Sequence, residues 1–301
     1  MKDVYLLSGF LGSGKTSLLS HIIEQFKAEG VKPAVIMNEL GKLPFDSRAV
    51  DNDVPLKEML EGCICCTGSE QMEAQLQMLL EGEVFDVLLI ETTGAAHPVE
   101  ALDAVLSPLF ASKLNVKGII TVADCKRWLD KDKMTPQTRM LFMEQIRHAH
   151  LIVANKVDLL TESEVATVTM QMQSVNGTAP IIQTTNSKIP LKLIKQLDAT
   201  FHEKEVQQTA IGKQLSLSSR LHTFNEPVDQ EEFEEWIKVL PDSIYRMKGY
   251  VPLKGHKNPF LFQYAYGMVQ WLPEFMKMPP QIVIIGDQVD KLEIIGMTSN
   301  D

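Results

Sequence analysis

No apolar run in this 301-residue chain approaches the roughly 20 residues that a helix needs to cross a bilayer, so no membrane-spanning helix is expected. No signal-peptide pattern precedes the first apolar segment either, which makes a cytoplasmic location the expectation. Basic charge is in deficit. Lys and Arg number 29 against 39 Asp and Glu, a net charge of −10 that argues against nucleic-acid or anionic-membrane partners. Any phosphate-bearing ligand must therefore be held by local dipoles. Cysteine is scarce, four in all, and three of the four are Cys63, Cys65 and Cys66, with Cys125 alone. That layout excludes a disulfide scaffold and directs attention to metal or thiol chemistry. Internal repeats and low-complexity tracts are absent.

What is present begins at Gly9. Residues 9–16 read G-F-L-G-S-G-K-T and fill every fixed position of the phosphate-binding pattern G-x-x-x-x-G-K-[ST]. The apolar run Val4–Leu7 before it and the helical pattern after it supply the strand, loop and helix that the pattern requires. Gly9, Gly12 and Gly14 let successive backbone N–H groups converge on phosphate oxygens, with Ser13 between them. The helix start, through Ser17, adds partial positive charge. Lys15 is expected to reach the β- and γ-phosphates and the Thr16 hydroxyl to be one ligand of Mg²⁺.

Apolar β-rich runs alternate with helical patterns up to about Ser187, which predicts an α/β fold: a mostly parallel P-loop sheet with helices on both faces. Strands are expected at Val4–Ser8, Ala34–Met37, Val84–Ile90, Gly118–Val122, Leu151–Ala154 and Ile181–Thr184. Helices are expected at Lys15–Glu29, Ser69–Leu80, Arg139–Arg147 and Glu162–Val175, the first stopped by Gly30 and the last opened by a Thr161/Glu164 capping box. The stretch from Asn38 to Cys66 is too irregular to assign, a length of loop that is usually functional. The expected domains are 1–198, a polar linker at 199–214, and a small C-terminal α+β domain at 215–301. In that last domain a strand at Arg220–Phe224, a helix at Asp229–Leu240, and strands at Ile244–Val251, Phe260–Met268 and Ile282–Ile285 are expected.

Two further motifs fall at strand ends. Asn155-Lys156-Val157-Asp158 matches N-K-x-D, in which an aspartate accepts from the N1–H and exocyclic amine of guanine; adenine offers neither donor. Asp158 is thus the expected base reader, Asn155 a brace and Lys156 a cover for one face of the base, so the nucleotide is expected to be GTP or GDP. Thr184–Ser187, after the next strand, could add backbone contacts. Glu91-Thr92-Thr93-Gly94 ends another strand, with Glu91 expected to hold Mg²⁺ through water and Gly94 to sense the γ-phosphate. No glutamine or arginine stands in an obvious place to orient the attacking water, so slow intrinsic hydrolysis is expected; Glu39 and Asp46 are the candidate bases. Between these motifs, the Cys63, Cys65 and Cys66 thiolates suit Zn²⁺ or another borderline-to-soft divalent ion, with Glu39 or water in a fourth position. Cys125 is expected to be a buried apolar residue, His97 to be structural, and His148 and His150 to be surface or capping residues.

With G-F-L-G-S-G-K-T, N-E-x-G at 38–41, G-C-I-C-C at 62–66, E-T-T-G at 91–94, N-K-V-D at 155–158 and the late strand I-V-I-I-G at 282–286, the sequence resembles the CobW-like P-loop GTPases. These are relatives of the GTPases that mature urease and nickel hydrogenase. The resemblance implies GTP hydrolysis coupled to binding and delivery of zinc or cobalt (Zn²⁺ or Co²⁺) to a client metalloprotein, with the C-terminal domain for partner contact. It also implies that Cys63, Cys65, Cys66 and the Asn38-Glu39 pair are metal-site positions. Family members often continue N-E-F-G-E where this chain has Leu40 and Lys42, and the histidine-rich tract some carry is missing. The alternative expectation is a metal-sensing, GTP-dependent regulator that docks on a target without transferring metal. Homodimer formation is left open.

Overall fold

The structure, a computed structural model, describes residues 1–38, 54–59, 68–110, 112–198, 217–265, 267–287 and 289–294. Glu39, Asp46, Cys63, Cys65 and Cys66 and the expected linker 199–214 lie outside the described residues. The chain divides into two compact units, one of residues 1–105 and 114–214, the other of 106–113 and 215–301.

In the first unit the strands are β1 (Lys2–Ser8), β2 (Pro33–Asn38), β3 (Leu56–Met59), β4 (Val87–Glu91), β5 (Leu114–Asp124), β6 (Leu151–Asn155) and β7 (Ile181–Gln183). Among the described residues these seven form one sheet in the order β3-β2-β4-β1-β5-β6-β7, every pair parallel. The helices are α1 (Lys15–Ala28), α2 (Gly68–Gly82), α3 (Pro98–Val105), α4 (Cys125–Leu129), α5 (Pro136–Arg147), α6 (Glu162–Val175) and α7 (Leu191–Lys195).

Both faces of the sheet are covered, which is why its strands read as unbroken apolar runs. On one face Tyr5, Leu7, Val35, Leu89, Val122 and Val153 pack against Leu18, Leu19, Ile22 and Phe26 of α1 and Leu191 and Ile194 of α7. On the other, Ala123, Ile152 and Ala154 meet Trp128 of α4, Phe142 and Ile146 of α5, and Val168 and Met172 of α6. Adjacent residues such as Ile152 and Val153 point to opposite sides, as the pleat demands. Each buried Val, Leu, Ile, Phe or Met among them contributes about 1.5–3 kcal/mol on burial. α1 ends as its sequence predicts: Gly30, at φ 75°, closes a Schellman motif in which its N–H bonds Lys27 O and that of Val31 bonds Phe26 O, both at 3.0 Å.

The second unit has strands β8 (Leu217–Thr223), β9 (Ile244–Val251), β10 (Phe260–Ala265), β11 (Met268–Pro273) and β12 (Gln281–Asp287) and helix α8 (Gln230–Lys238). Its sheet is antiparallel in the order β11-β10-β9-β12-β8. The core gathers Phe233 and Ile237 of α8 with Met247, Val251, Phe262, Tyr264, Ile282 and Ile284.

Several element boundaries differ from the sequence expectation. The fourth strand starts at Val87, because Val84 is exposed. Phe260–Met268 is not one strand: the chain turns around Gly267 (φ 86°) and returns as β11. β3 lies inside the stretch read as irregular.

Candidate functional site

The C-terminal ends of a parallel sheet leave strand carbonyls and connecting loops at one edge, and there the singled-out residues of the first unit converge. Register places Leu7 beside Glu91, Met37 beside Glu91, Asn38 beside Met59, and Asp124 beside Asn155. Residues 9–14 leave the central strand β1 at that edge, and Lys15 begins α1.

The loop is shaped by contacts no side chain would permit. Gly14 sits at φ 110°, and a Cβ there would lie 2.5 Å from Asn155 Nδ2 and 2.5 Å from Ser187 Oγ. A Cβ on Gly94 would lie 2.5 Å from the backbone nitrogen of Leu11, so the turn after β4 presses directly on the loop. Gly14 is the N-cap of α1 and gives no side-chain cap, and no acidic residue lies in the first turn. By contrast, Asp124, Thr135, Thr161 and Asp229 each cap their helices through a side-chain oxygen. The N-terminal amides of α1 and their partial positive charge are thus left for an anion. Ser13 Oγ, fully buried, has no protein hydrogen-bond partner.

Lys15 is buried and its Nζ donates to Gly9 O at 2.9 Å and Phe10 O at 3.4 Å. The Thr16 hydroxyl donates to Glu91 Oε1 at 3.0 Å and lies 3.3 Å from Oε2. Glu91 is buried at the tip of β4. A hydroxyl hydrogen-bonded to a buried carboxylate beside an anion-binding loop offers the oxygen donors that Mg²⁺ takes, the hydroxyl directly and the carboxylate through water. These residues fit Mg²⁺.

Asn155 Nδ2 donates to Ser13 O at 2.8 Å, and its Oδ1 accepts from Ser187 N at 2.9 Å. Ser187 Oγ donates to Gly14 O at 3.0 Å, so the 184–187 segment is tied to the loop and to Asn155 together. Lys156 Nζ bonds Gly12 O at 2.8 Å and pairs with Asp124 Oδ2 at 2.6 Å. Asp158 is exposed on a single 3-10 turn that follows, and Ser17 is exposed on the first turn of α1.

Two residues that sequence reasoning passed over also join the site. Arg127 of α4 lies over the Phe10 ring, 4.7 Å from its centroid, and Nη1 donates to Leu11 O at 2.6 Å. Gln145 of α5 is fully buried and its Nε2 donates to Gly94 O at 3.3 Å and Ala96 O at 3.4 Å. Neither belongs to a local motif; each is 49 or more positions from what it touches. Of the histidines, His148 takes the C-cap of α5 as expected, yet it is buried rather than on the surface.

An all-parallel sheet with a phosphate-type loop leaving its central strand defines a P-loop nucleotide-binding protein. Residues 3–183 match the family described as CobW/HypB/UreG, nucleotide-binding domain, and residues 217–297 match the cobalamin synthesis protein CobW C-terminal domain. The chain therefore belongs to the CobW/HypB/UreG family of P-loop GTPases. It is 31% identical to the zinc chaperone YjiA of Escherichia coli over 277 residues, covering 86% of this chain and 85% of the relative. It is 32% identical over 226 residues to the zinc-regulated GTPase metalloprotein activator 1 of Dictyostelium discoideum, but spans only 47% of that protein's length. Among solved structures it resembles zinc-bound YjiA GTPase from E. coli, with a TM-score of 0.55 at 26% identity over 95% of this chain and 94% of the other. Among the described residues, no helix is long and apolar enough to cross a membrane.

Proposed function

We propose that the chain is a GTP-hydrolysing metallochaperone, in which the nucleotide state governs binding of zinc (or cobalt) and its delivery to a client metalloprotein. The observation that carries this reading is the Thr16–Glu91 contact beside an uncapped helix start, with Gly94 pressed on the same loop. Lys15 and the amides of residues 9–16 hold the phosphates. Thr16 and, through water, Glu91 would hold Mg²⁺, which would neutralise the β- and γ-phosphate charge. Gly94 offers its N–H to the γ-phosphate, and Asp158 selects guanine through two donors that adenine lacks.

The metal ligands in this proposal are Cys63, Cys65, Cys66 and Glu39. The chain enters residues 60–67 from Met59, which pairs with Asn38 at the same sheet edge as Glu91. This supports coupling between the cysteines, which follow β3 in sequence, and the nucleotide. The zinc-chaperone relatives support zinc as the ion. The C-terminal unit is assigned to partner contact.

The test is zinc affinity in the GDP state and in the state with a non-hydrolysable GTP analogue. Linkage requires that zinc change GTP affinity by the factor by which GTP changes zinc affinity. Equal zinc affinity in both states would refute the coupling. Lys15→Ala should abolish triphosphate binding and leave thiol-dependent zinc binding largely intact, and Cys65→Ser should remove the thiol-dependent zinc binding and leave triphosphate binding largely intact. Zinc transfer to an apo-acceptor that depends on hydrolysis supports the chaperone; docking without transfer supports the metal-sensing regulator.

A further inference from the structure

Among the described residues, one cluster of metal-ligating side chains contains no cysteine. His97 lies three positions after Gly94, just before α3; Glu144 and His148 lie on the last turn and C-cap of α5. Glu144 Oε2 is 3.1 Å from His148 Nε2 and 3.8 Å from His97 Nε2, and a ligand atom from each of the three residues lies within 4.8 Å of the others. The two imidazoles stand with centroids 5.7 Å apart. Arg147 takes the other carboxylate oxygen, Oε1, which leaves Oε2 turned to both rings. The cluster is enclosed without being sealed: the His148 side chain is 4% exposed, that of Glu144 15% and that of His97 25%.

We propose that His97, Glu144 and His148 form a second binding site, for a zinc-class divalent ion held by two imidazole nitrogens and one carboxylate oxygen. Imidazole excludes Mg²⁺ and Ca²⁺ as the natural occupants and suits Zn²⁺, Co²⁺ or Ni²⁺. Ligands about 2.0–2.1 Å from a tetrahedral ion stand about 3.3 Å apart. The 3.1 Å and 3.8 Å edges already bracket that spacing. The third edge closes by a movement of His97, the most exposed member, whose Nδ1 gives up a long bond of 3.3 Å from the Val99 N–H. A water completes the tetrahedron from the open side. Burial raises the Glu144 carboxyl, but hydrogen bonds from His148 and His97 and the charge of Arg147 outweigh it and hold the group well below the usual carboxylate range. It is therefore an anion ready to bind a cation.

The location gives the ion a consequence. His97 and Gly94 belong to one turn, and the neighbouring Gln145 of α5 already holds Gly94 O and Ala96 O. An ion at the cluster fastens that turn to α5, and so restrains the segment assigned to the γ-phosphate. The existence of the site does not depend on the proposed function; only its effect on nucleotide does.

The experiment uses the full chain with Cys63→Ser, Cys65→Ser and Cys66→Ser together, so that the thiolate ligands are gone. Zinc is titrated against a chromophoric chelator, Co²⁺ spectra are recorded, and fluorescent GDP binding is followed on the same samples. One ion per chain should remain, with Co²⁺ visible bands and no thiolate charge-transfer band. In that background His97→Ala, and separately Glu144→Gln, should weaken zinc binding at least tenfold while GDP binding persists as the check on folding. A triple-serine chain that binds no ion overturns the site, as does zinc affinity unmoved by both substitutions. Far-UV circular dichroism checks the fold of the triple-serine parent independently, so loss of GDP binding there with the fold retained would count against the nucleotide reading alone, the zinc titration being scored separately.

Discussion

Lys156 holds a left-handed backbone, φ 63°, that residues with a Cβ seldom adopt. That conformation costs of order 1 kcal/mol and persists because Nζ is held by Gly12 O and Asp124 Oδ2. Asn186 and Ser187, at φ 56° and 55°, take the same conformation on the other side of the loop. Strain of this kind concentrates where a binding surface must be preformed. Cys125 shows the opposite use of a reactive side chain: burial, with the Asp124 charge adding, pushes its thiol up to about 12. Iodoacetamide at pH 8 should therefore leave Cys125 unmodified in the native chain and label it only after denaturation, as peptide mapping would show; native labelling would contradict the packing. His222 is shifted the other way, its pKa lowered by burial and by Arg220, with Nε2 enclosed and lacking a hydrogen-bond partner. The native state keeps this ring neutral while the unfolded chain takes up a proton near pH 6.5, so the unfolded state binds more protons below that pH. Stability of the second unit should thus fall as pH drops below about 6.5, and His222→Phe should flatten this part of a pH series of urea melts.

Among elements, those with their own stop and start signals were the ones legible in the sequence. The Thr161/Glu164 box is present in both directions, the Thr161 oxygen accepting from Glu164 N and the Glu164 carboxylate from Thr161 N. Gly30 closes α1 in open space, with nothing near the position a Cβ would take, so Gly30→Ala should cost about 1 kcal/mol through backbone conformation alone. A chemical-denaturation midpoint would measure it, and no change would mean the αL cap contributes nothing. α4 and α7, with five residues each, and α3, with eight, carry too few residues for a periodic signal, and isolated helices of that length do not form. Trp128, Val99, Leu102, Leu191 and Ile194 are buried there, so packing against the sheet supplies the stability that propensity does not. β3 has the same explanation: four residues become a strand only because β2 offers a parallel edge.

For the whole molecule, a ligand that binds the native first unit and not the unfolded chain stabilises it by mass action. GDP with Mg²⁺ at 100 times its dissociation constant should add about 2.7 kcal/mol to that unit, seen as a raised thermal midpoint that Lys15→Ala abolishes. A second unit whose transition moves equally would show that the two unfold as one. The alternation of strands and helices, the P-loop and N-K-V-D followed from local residue order, because hydrophobic period and turn chemistry act over a few positions. The position of β1 between β4 and β5, the reach of Gln145 to Gly94 and of Arg127 to Leu11, and the meeting of His97 with Glu144 and His148 did not. Those contacts join residues 47 or more positions apart, and they arise only when crossover helices fold back on a sheet whose strand order no short stretch of sequence encodes.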